Sequence, residues 1–274
     1  MVSILYLRKI FEYEYDVKEA DVALLGVPFD STETGLPVRF GLMFIREAIR
    51  NLTGWNPRAG KNIFKSLRFA DIGDVEAVPG SWPLTKERVS DTLRWLMEEN
   101  PKILPAVLGG EHLVTLGVLE SLQGILDRKI TVVHFDAHRD LMPDWMGNPE
   151  SHITWACHAL KKGFELVQIG CRSYNKEEEN MLPLVKGPDE LGKIRGPVYL
   201  TVDLDVFDPS YAPEVGTPEP QGLSPGDFAG FLDRIDLREL AGFDVVECAS
   251  QRVGTQTALL GAWVFREVIE RWKR

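Results

Sequence analysis

The chain has 274 residues, 44% hydrophobic and 26% charged, a globular composition with enough apolar material for a large core. Its formal net charge of -10 argues against a nucleic-acid backbone as the main partner, because phosphate contacts need a Lys/Arg footprint. No run of about 18 apolar residues reads as membrane-spanning, and the apolar start, interrupted by Arg8 and Lys9, is too short for a secretory core.

In chain order, β-branched and apolar runs predict a strand at 22–27, a helix at 42–52, a strand at 68–72 and a helix at 85–99. Thr85 is placed to cap that helix. A strand at 103–108, a helix at 112–122 and strands at 130–135, 165–169 and 198–202 follow, then a helix at 225–235, a strand at 243–246 and a helix at 257–271. Several strands, Ile130-Thr131-Val132-Val133 among them, are almost wholly apolar, which suits a parallel sheet covered on both faces. Strands alternating with helices predict a three-layer α/β/α architecture with a mostly parallel central sheet. There is no linker, repeat or low-complexity tract, so residues 1–274 read as a single catalytic domain. Cys157, Cys171 and Cys248 lie far apart without CxxC spacing, so they read as small buried hydrophobes in a reducing compartment, and the protein as soluble and cytoplasmic.

In open parallel sheets, ligands bind beyond the carboxyl ends of the strands. Those ends carry Gly109-Gly110-Glu111-His112, Asp136-Ala137-His138-Arg139-Asp140, Asp203-Leu204-Asp205-Val206-Phe207-Asp208-Pro209 and Glu247. A single Asp after a strand is usually a turn former. Several such clusters at successive strand ends are different, because close carboxylates repel and raise each other's pKa, and metal ions remove that cost. Oxygen donors with imidazole and no thiolate suit Mn²⁺, with Fe, Co or Zn as second choices. Four Asp and two His exceed the needs of one ion and match two that share bridging carboxylates. Two such ions about 3.5 Å apart can deprotonate a shared water near neutral pH and hold it as a nucleophile.

These clusters resemble the motifs of the ureohydrolase (arginase/agmatinase) family. So do Gly26-Val27-Pro28, Asp71-Ile72-Gly73-Asp74, Gln168-Ile169-Gly170-Cys171-Arg172-Ser173, Gly216-Thr217-Pro218 and Thr257-Ala258-Leu259-Leu260, so the likeness covers nearly the whole chain. The resemblance implies an arginase-like fold and two Mn²⁺ ions. It assigns one ion to His112, Asp136, Asp140 and Asp203, and the other to His138, Asp136, Asp203 and Asp205. Asp136 and Asp203 bridge, and Asp140 also bonds the metal-bridging hydroxide that attacks the substrate. Glu247 binds the guanidinium, and His152 shuttles a proton to the leaving amine. A homotrimer or homohexamer is also implied. Two departures stand out: Glu111 and Leu113 replace the commoner Asp and Ser, and Cys248-Ala249-Ser250 follows Glu247 where Val-Asn-Pro is common.

The loop after Asp140 resembles that of prokaryotic agmatinases. Met142 stands where arginases carry an Asn for the arginine carboxylate, and a thioether cannot supply that bond. Agmatine, cleaved to putrescine and urea, or aminopropylagmatine is therefore the expected small cationic substrate, with Glu150 or Asp144 placed to receive its tail. Arginase, guanidinobutyrase and formimidoylglutamase are the alternatives within the class. The carboxylate-bearing substrates of the last two would need Arg139 or Arg172 at the pocket. More distant readings are a single-zinc deacetylase, a metal-dependent glycosyltransferase built on Asp203-Leu204-Asp205, and an inactive metal-binding protein. His134 and His158 read as structural histidines, Asp208 as a turn residue, Arg139 and Arg172 as ion-pair partners, and Trp145 and Trp155 as packing.

Overall fold

Strands that are apolar on both faces must be covered on both faces, and this chain does so with helices between its strands. The computed structural model describes residues 10–11, 14–32, 34–56 and 60–272. Residues 1–9, most of the apolar start read from the sequence, lie outside the described residues. In chain order the elements are β1 (Val22–Val27), α1 (Gly41–Asn51), β2 (Trp55–Asn56), β3 (Lys61–Asn62), α2 (Ile63–Ser66), β4 (Phe69–Asp74), α3 (Trp82–Glu99), β5 (Leu104–Gly109), α4 (Leu113–Leu126) and β6 (Thr131–Phe135). There follow α5 (Trp155–Lys161), β7 (Glu165–Ile169), β8 (Val198–Asp203), α6 (Pro225–Leu232), β9 (Leu240–Val246) and α7 (Gln256–Trp272). Among the described residues, no helix is long and apolar enough to cross a membrane.

Seven strands form one sheet in the order β4-β1-β5-β9-β8-β6-β7, and all its pairings are parallel. The expected three-layer α/β/α architecture is the one that forms. Alternation along each strand divides the core. Val22 and Leu24 of β1 join Val133, Phe135, Phe243 and the apolar faces of α1 and α7 on one side. Ala23 and Leu25 join Val107, Val132, Trp155 and the faces of α3 and α4 on the other.

The sequence places the start of α3 at Thr85, but the helix begins earlier, after Ser81. Pro83 accounts for the difference, since its fixed φ and missing N–H suit a first turn. Thr85 lies inside the helix, where its hydroxyl donates to the Ser81 carbonyl and accepts from the Val78 N–H, both at 2.9 Å.

The chain leaves β5, enters β6 beyond room for two strands, and later fills that gap with β8 and β9. Four adjacent strand ends therefore open on one patch, those of β5, β9, β8 and β6, at a change of direction in the strand order. Gly110 is the tightest point there. Its N–H donates to the Val27 carbonyl and its carbonyl accepts from the Glu247 N–H, each at 2.9 Å. A Cβ at this position would overlap the Phe29 carbonyl oxygen.

Gly110→Ala is expected to cost about 3 kcal/mol, as a backbone clash in a packed site. For a chain of this size the melting temperature should fall by roughly 6–12 °C. Scanning calorimetry reads this, and an unchanged midpoint would mean that the segment after β1 yields freely.

Candidate metal centre

The end of β5 turns directly into α4, and His112 is the N-cap residue of that helix. Its ring is buried, with Nε2 2.8 Å from the Thr201 hydroxyl. That hydroxyl donates to Asp244 Oδ1 at 2.6 Å, so it accepts from His112 Nε2–H. Thr115 and Tyr199 donate to the other oxygen of Asp244, each at 2.8 Å. This network leaves the Nδ1 lone pair of His112 facing forward. Nδ1 lies 3.0 Å from Asp136 Oδ2 and 3.3 Å from both Asp140 Oδ2 and Asp203 Oδ2. It nevertheless has no aligned hydrogen bond. A buried imidazole nitrogen fanned by three carboxylate oxygens fits a cation better than a proton.

The end of β6 supplies the second half. Asp136 accepts from the His138 N–H at 2.5 Å through Oδ1 and meets His134 Nε2 at 2.7 Å through Oδ2. His138 Nδ1 lies 2.9 Å from Asp205 Oδ2 and 3.4 Å from Asp136 Oδ1. Asp205 Oδ1 accepts from the Ala137 N–H at 3.0 Å, and Asp203 Oδ1 from the Asp205 N–H at 2.8 Å. Ligand-type atoms of His112, His134, Asp136 and Asp140 lie within 4.8 Å of one another, as do those of Asp136, His138 and Asp205. Asp136 belongs to both groups. The donors fit two divalent cations, and the residues picked out from the sequence as metal ligands come together here.

Asp140 holds a left-handed φ of 56° and Glu247 one of 61°, conformations that cost a non-glycine residue energy and persist only where the surroundings impose them. Trp155 Nε1 donates to Asp140 Oδ2 at 2.7 Å, so Trp155 is more than packing. Glu247 Oε1 accepts from the His112 N–H at 2.7 Å. Next to it, Glu111 accepts from the N–H and hydroxyl of Ser31 through one oxygen, while its other oxygen is buried and has no partner among the described residues. Burial pushes Glu111 up to about 7. His152 lies on the cavity wall rather than among the clustered carboxylates, its Nδ1 3.0 Å from the Ser151 hydroxyl.

The electrostatics follow from crowding. Burial and then Asp136 raise Asp140 to about 6. Burial and then Asp205 hold Asp203 well above the usual carboxylate range, and burial does the same to Glu247. Asp136 stays well below that range despite burial, because His134, His112 and His138 surround it. Burial opposes protonation of His138, but Asp136 and Asp205 outweigh it and push the ring up to about 12. Burial, then His112 and His138, take His152 down to about 4, so it is neutral at pH 7.

Other expectations need correction. Among the described residues, neither Arg139 nor Arg172 forms an ion pair. Arg172 donates to the carbonyls of Gly170, Asp205, Val206, Glu219 and Pro220, which lock the segments around the site. Arg139 donates to Gln168 at 3.0 Å and stacks over Tyr174. Asp144 and Glu150 are not among the residues that line the cavity; Asp144 accepts from the Gly147 N–H, and Asn148 bonds Glu150. The site roles of Thr201, Asp244 and Gln168 escape a reading of the sequence. The available signal was a polar residue inside an otherwise apolar strand, which β8, β9 and β7 each contain.

A family model described as the arginase family matches residues 20–270. The N(1)-aminopropylagmatine ureohydrolase of Thermococcus kodakarensis is 36% identical over 279 residues, 95% of either chain. The agmatinase of Pyrococcus horikoshii is 34% identical, covering 97% of this chain and 98% of its own. Among solved structures, the agmatine ureohydrolase of Thermoplasma volcanium superposes with a TM-score of 0.87 at 29% identity, over 99% of this chain and 96% of that one.

The protonation pattern has a measurable consequence. With its pKa near 12, His138 carries a proton at pH 7.5, yet a metal needs the neutral ring. Loading a divalent cation must therefore expel protons and tighten as pH rises from 6 to 8. Calorimetric titration of chelator-stripped protein with Mn²⁺ should give heats that differ between phosphate and Tris buffers. Equal heats with a pH-independent affinity would contradict this assignment.

Proposed function

The chain belongs to the arginase family, and on that premise we propose that it hydrolyses agmatine or aminopropylagmatine to urea and an amine. One observation carries the choice of substrate class. The charged side chains lining the cavity include the carboxylates Asp140, Glu178, Asp203, Asp205 and Glu247, and among the described residues no Lys or Arg lines it. Guanidinobutyrate and formimidoylglutamate each bring a carboxylate that would find no counter-ion, and Met142 cannot give the arginine carboxylate the hydrogen bond that an Asn would supply. Arg139 and Arg172, the two candidates for that task, are committed elsewhere.

The cavity measures about 130 Å³, below the roughly 300 Å³ at which drug-sized pockets begin. It takes the guanidinium head and leaves the tail at the mouth. There Glu219 Oε1 lies 3.8 Å from His138 Nε2, with the side chain about a third exposed. Its backbone is held by Arg172, and among the described residues no hydrogen bond occupies its carboxylate. Glu178, a buried carboxylate of the cavity wall, already accepts from the N–H groups of Leu141 and Asn175. We propose Glu219, which stands next to the cavity-lining His138, as the group that receives a distal ammonium.

We assign one ion to His112, Asp136, Asp140 and Asp203 and the other to His138, Asp136, Asp203 and Asp205. Oxygen donors with imidazole favour manganese, with cobalt, iron or zinc as substitutes. When bound, the pair supplies a water activated for attack on the guanidinium carbon. The protein groups do the rest. Glu247, one oxygen engaged by His112 N–H, turns the other to the guanidinium as a charge-assisted acceptor. Asp140, anchored by Trp155, orients the attacking water. His152 is neutral at rest, so it can take up a proton and return it to the nitrogen of the tail as that carbon–nitrogen bond breaks. Free cysteines at 157, 171 and 248 support a reducing, cytoplasmic setting. A trimer or hexamer is the assembly the family resemblance implies, and sedimentation measures it.

Urea release from a panel of agmatine, aminopropylagmatine, arginine and guanidinobutyrate, with and without Mn²⁺, tests the reading. Metal-dependent urea is expected from one or both of the first two and not from the carboxylates. No urea from any, with two metals bound, would refute it. Glu219→Gln should raise KM for the cationic substrate roughly two- to five-fold, the worth of a half-exposed ion pair, and leave n-butylguanidine turnover unchanged. An equal effect on both guanidines would remove Glu219 from tail binding.

A further inference from the structure

His134 lies in β6 and Asp136 directly follows that strand, and their side chains meet, with Nε2 2.7 Å from Oδ2. Parallel pairing sets His134 beside Gln168 of β7. The Gln168 amide has a determined orientation. Its Oε1 faces Arg139 NH1 at 3.0 Å, a group that can only donate, and its Nε2 faces the Arg139 carbonyl at 2.7 Å, which can only accept. The second hydrogen on Nε2 then points at His134 Nδ1, 3.1 Å away. Nδ1 must accept, so the ring proton sits on Nε2 and is donated to Asp136 Oδ2 at 2.7 Å. Trp155 fixes the ring plane edge-on, with centroids 4.8 Å apart.

We propose that His134 is a positioning residue for the metal centre, held by Gln168 in the one tautomer that donates to Asp136. The inference rests on the two-metal reading above. Each oxygen of Asp136 then accepts one N–H, His138 backbone on Oδ1 and His134 on Oδ2, and each keeps a lone pair for an ion. That is the arrangement a bridging carboxylate needs. His134 lies close enough to the cluster to be taken for a ligand, but a nitrogen that carries the donated proton cannot coordinate. Arg139 closes the chain on the outside, through its own stacking on Tyr174 at the cavity wall.

The test is Mn²⁺ affinity and stoichiometry by calorimetry and elemental analysis, on wild type, His134→Leu, His134→Gln and Gln168→Leu. His134→Leu should still bind two ions at saturation, roughly 10- to 100-fold more weakly, the usual cost of losing an outer partner of a ligand. His134→Gln offers one acceptor and a donor in the same directions, and should stay within a few-fold of wild type. Gln168→Leu keeps His134 and its packing but frees the tautomer, so it should weaken affinity too, and it carries the test if His134→Leu does not fold. Loss of one ion in His134→Leu would make His134 a ligand and overturn the proposal. So would an unchanged affinity in Gln168→Leu, or a His134→Gln variant as weak as His134→Leu. If wild type binds no metal, the two-metal reading itself falls with it, whereas failure to release urea with both metals bound would leave this positioning role standing.

Discussion

Asp136, Asp140, Asp203, Asp205 and Glu247 share a volume from which water is largely excluded. Isolated carboxylates cannot be concentrated in this way, because each raises the cost of ionising the next. Two kinds of compensation are visible around them. Backbone N–H groups of His112, Ala137, His138 and Asp205 each donate to one of these carboxylates. The imidazoles of His112 and His138 are drawn toward the charged form by the same carboxylates. Neither disperses the charge of all five. The architecture makes sense as a holder for cations, and the order of the strands is what brings the donors within reach.

The holder is rigid for reasons that lie one layer further out. His112 is backed by Thr201 and by Asp244, a buried carboxylate satisfied by three hydroxyls. Asp140 is backed by Trp155, whose ring also stacks on His112 with centroids 4.7 Å apart. Glu247 and the Gly110–His112 turn are stitched to one another in both directions. The left-handed backbone at Asp140 and Glu247 is the cost of aiming those two side chains inward, and these bonds over-determine it. Removing one partner from such a network leaves another buried group unsatisfied, so damage at the outer layer reaches the centre.

The parts of this centre that a sequence reading reaches are those whose chemistry is local. Asp136, His138 and Asp140 announce themselves because three ligand-type side chains within five residues of a strand end are costly to crowd together without a cation. Strand edges drawn from apolar runs fall close to the real ones, as at β1 and β7, because a buried parallel strand has little freedom in composition. What the sequence conceals is contact between strands. Thr201 and Asp244 read as ordinary interruptions of apolar runs until register sets them side by side. His134 and Gln168 become partners only when β6 and β7 pair. Arg172 looks like an ion-pair partner because its targets are backbone carbonyls, which every residue carries and no sequence distinguishes. Thr85 misleads in the opposite sense, since a good capping residue competes with Pro83, which fixes the first turn earlier.

The same reasoning separates what this centre does from what it selects. For a guanidine substrate of the kind proposed, the carboxylates and imidazoles would address only the head, and nothing in their arrangement distinguishes one guanidine from another. Discrimination must come from the residues at the mouth, and a pocket rejects a wrong substrate most strongly by leaving its polar groups unpaired. A substrate carboxylate in this cavity would share it with Glu178 and lie near Glu219 beside His138, with the guanidinium groups of Arg139 and Arg172 turned to other partners. Under the proposed reading, the exclusion of acidic substrates would follow from where two arginines do not point. It would survive many changes at the metals and be reversed by very few at the wall.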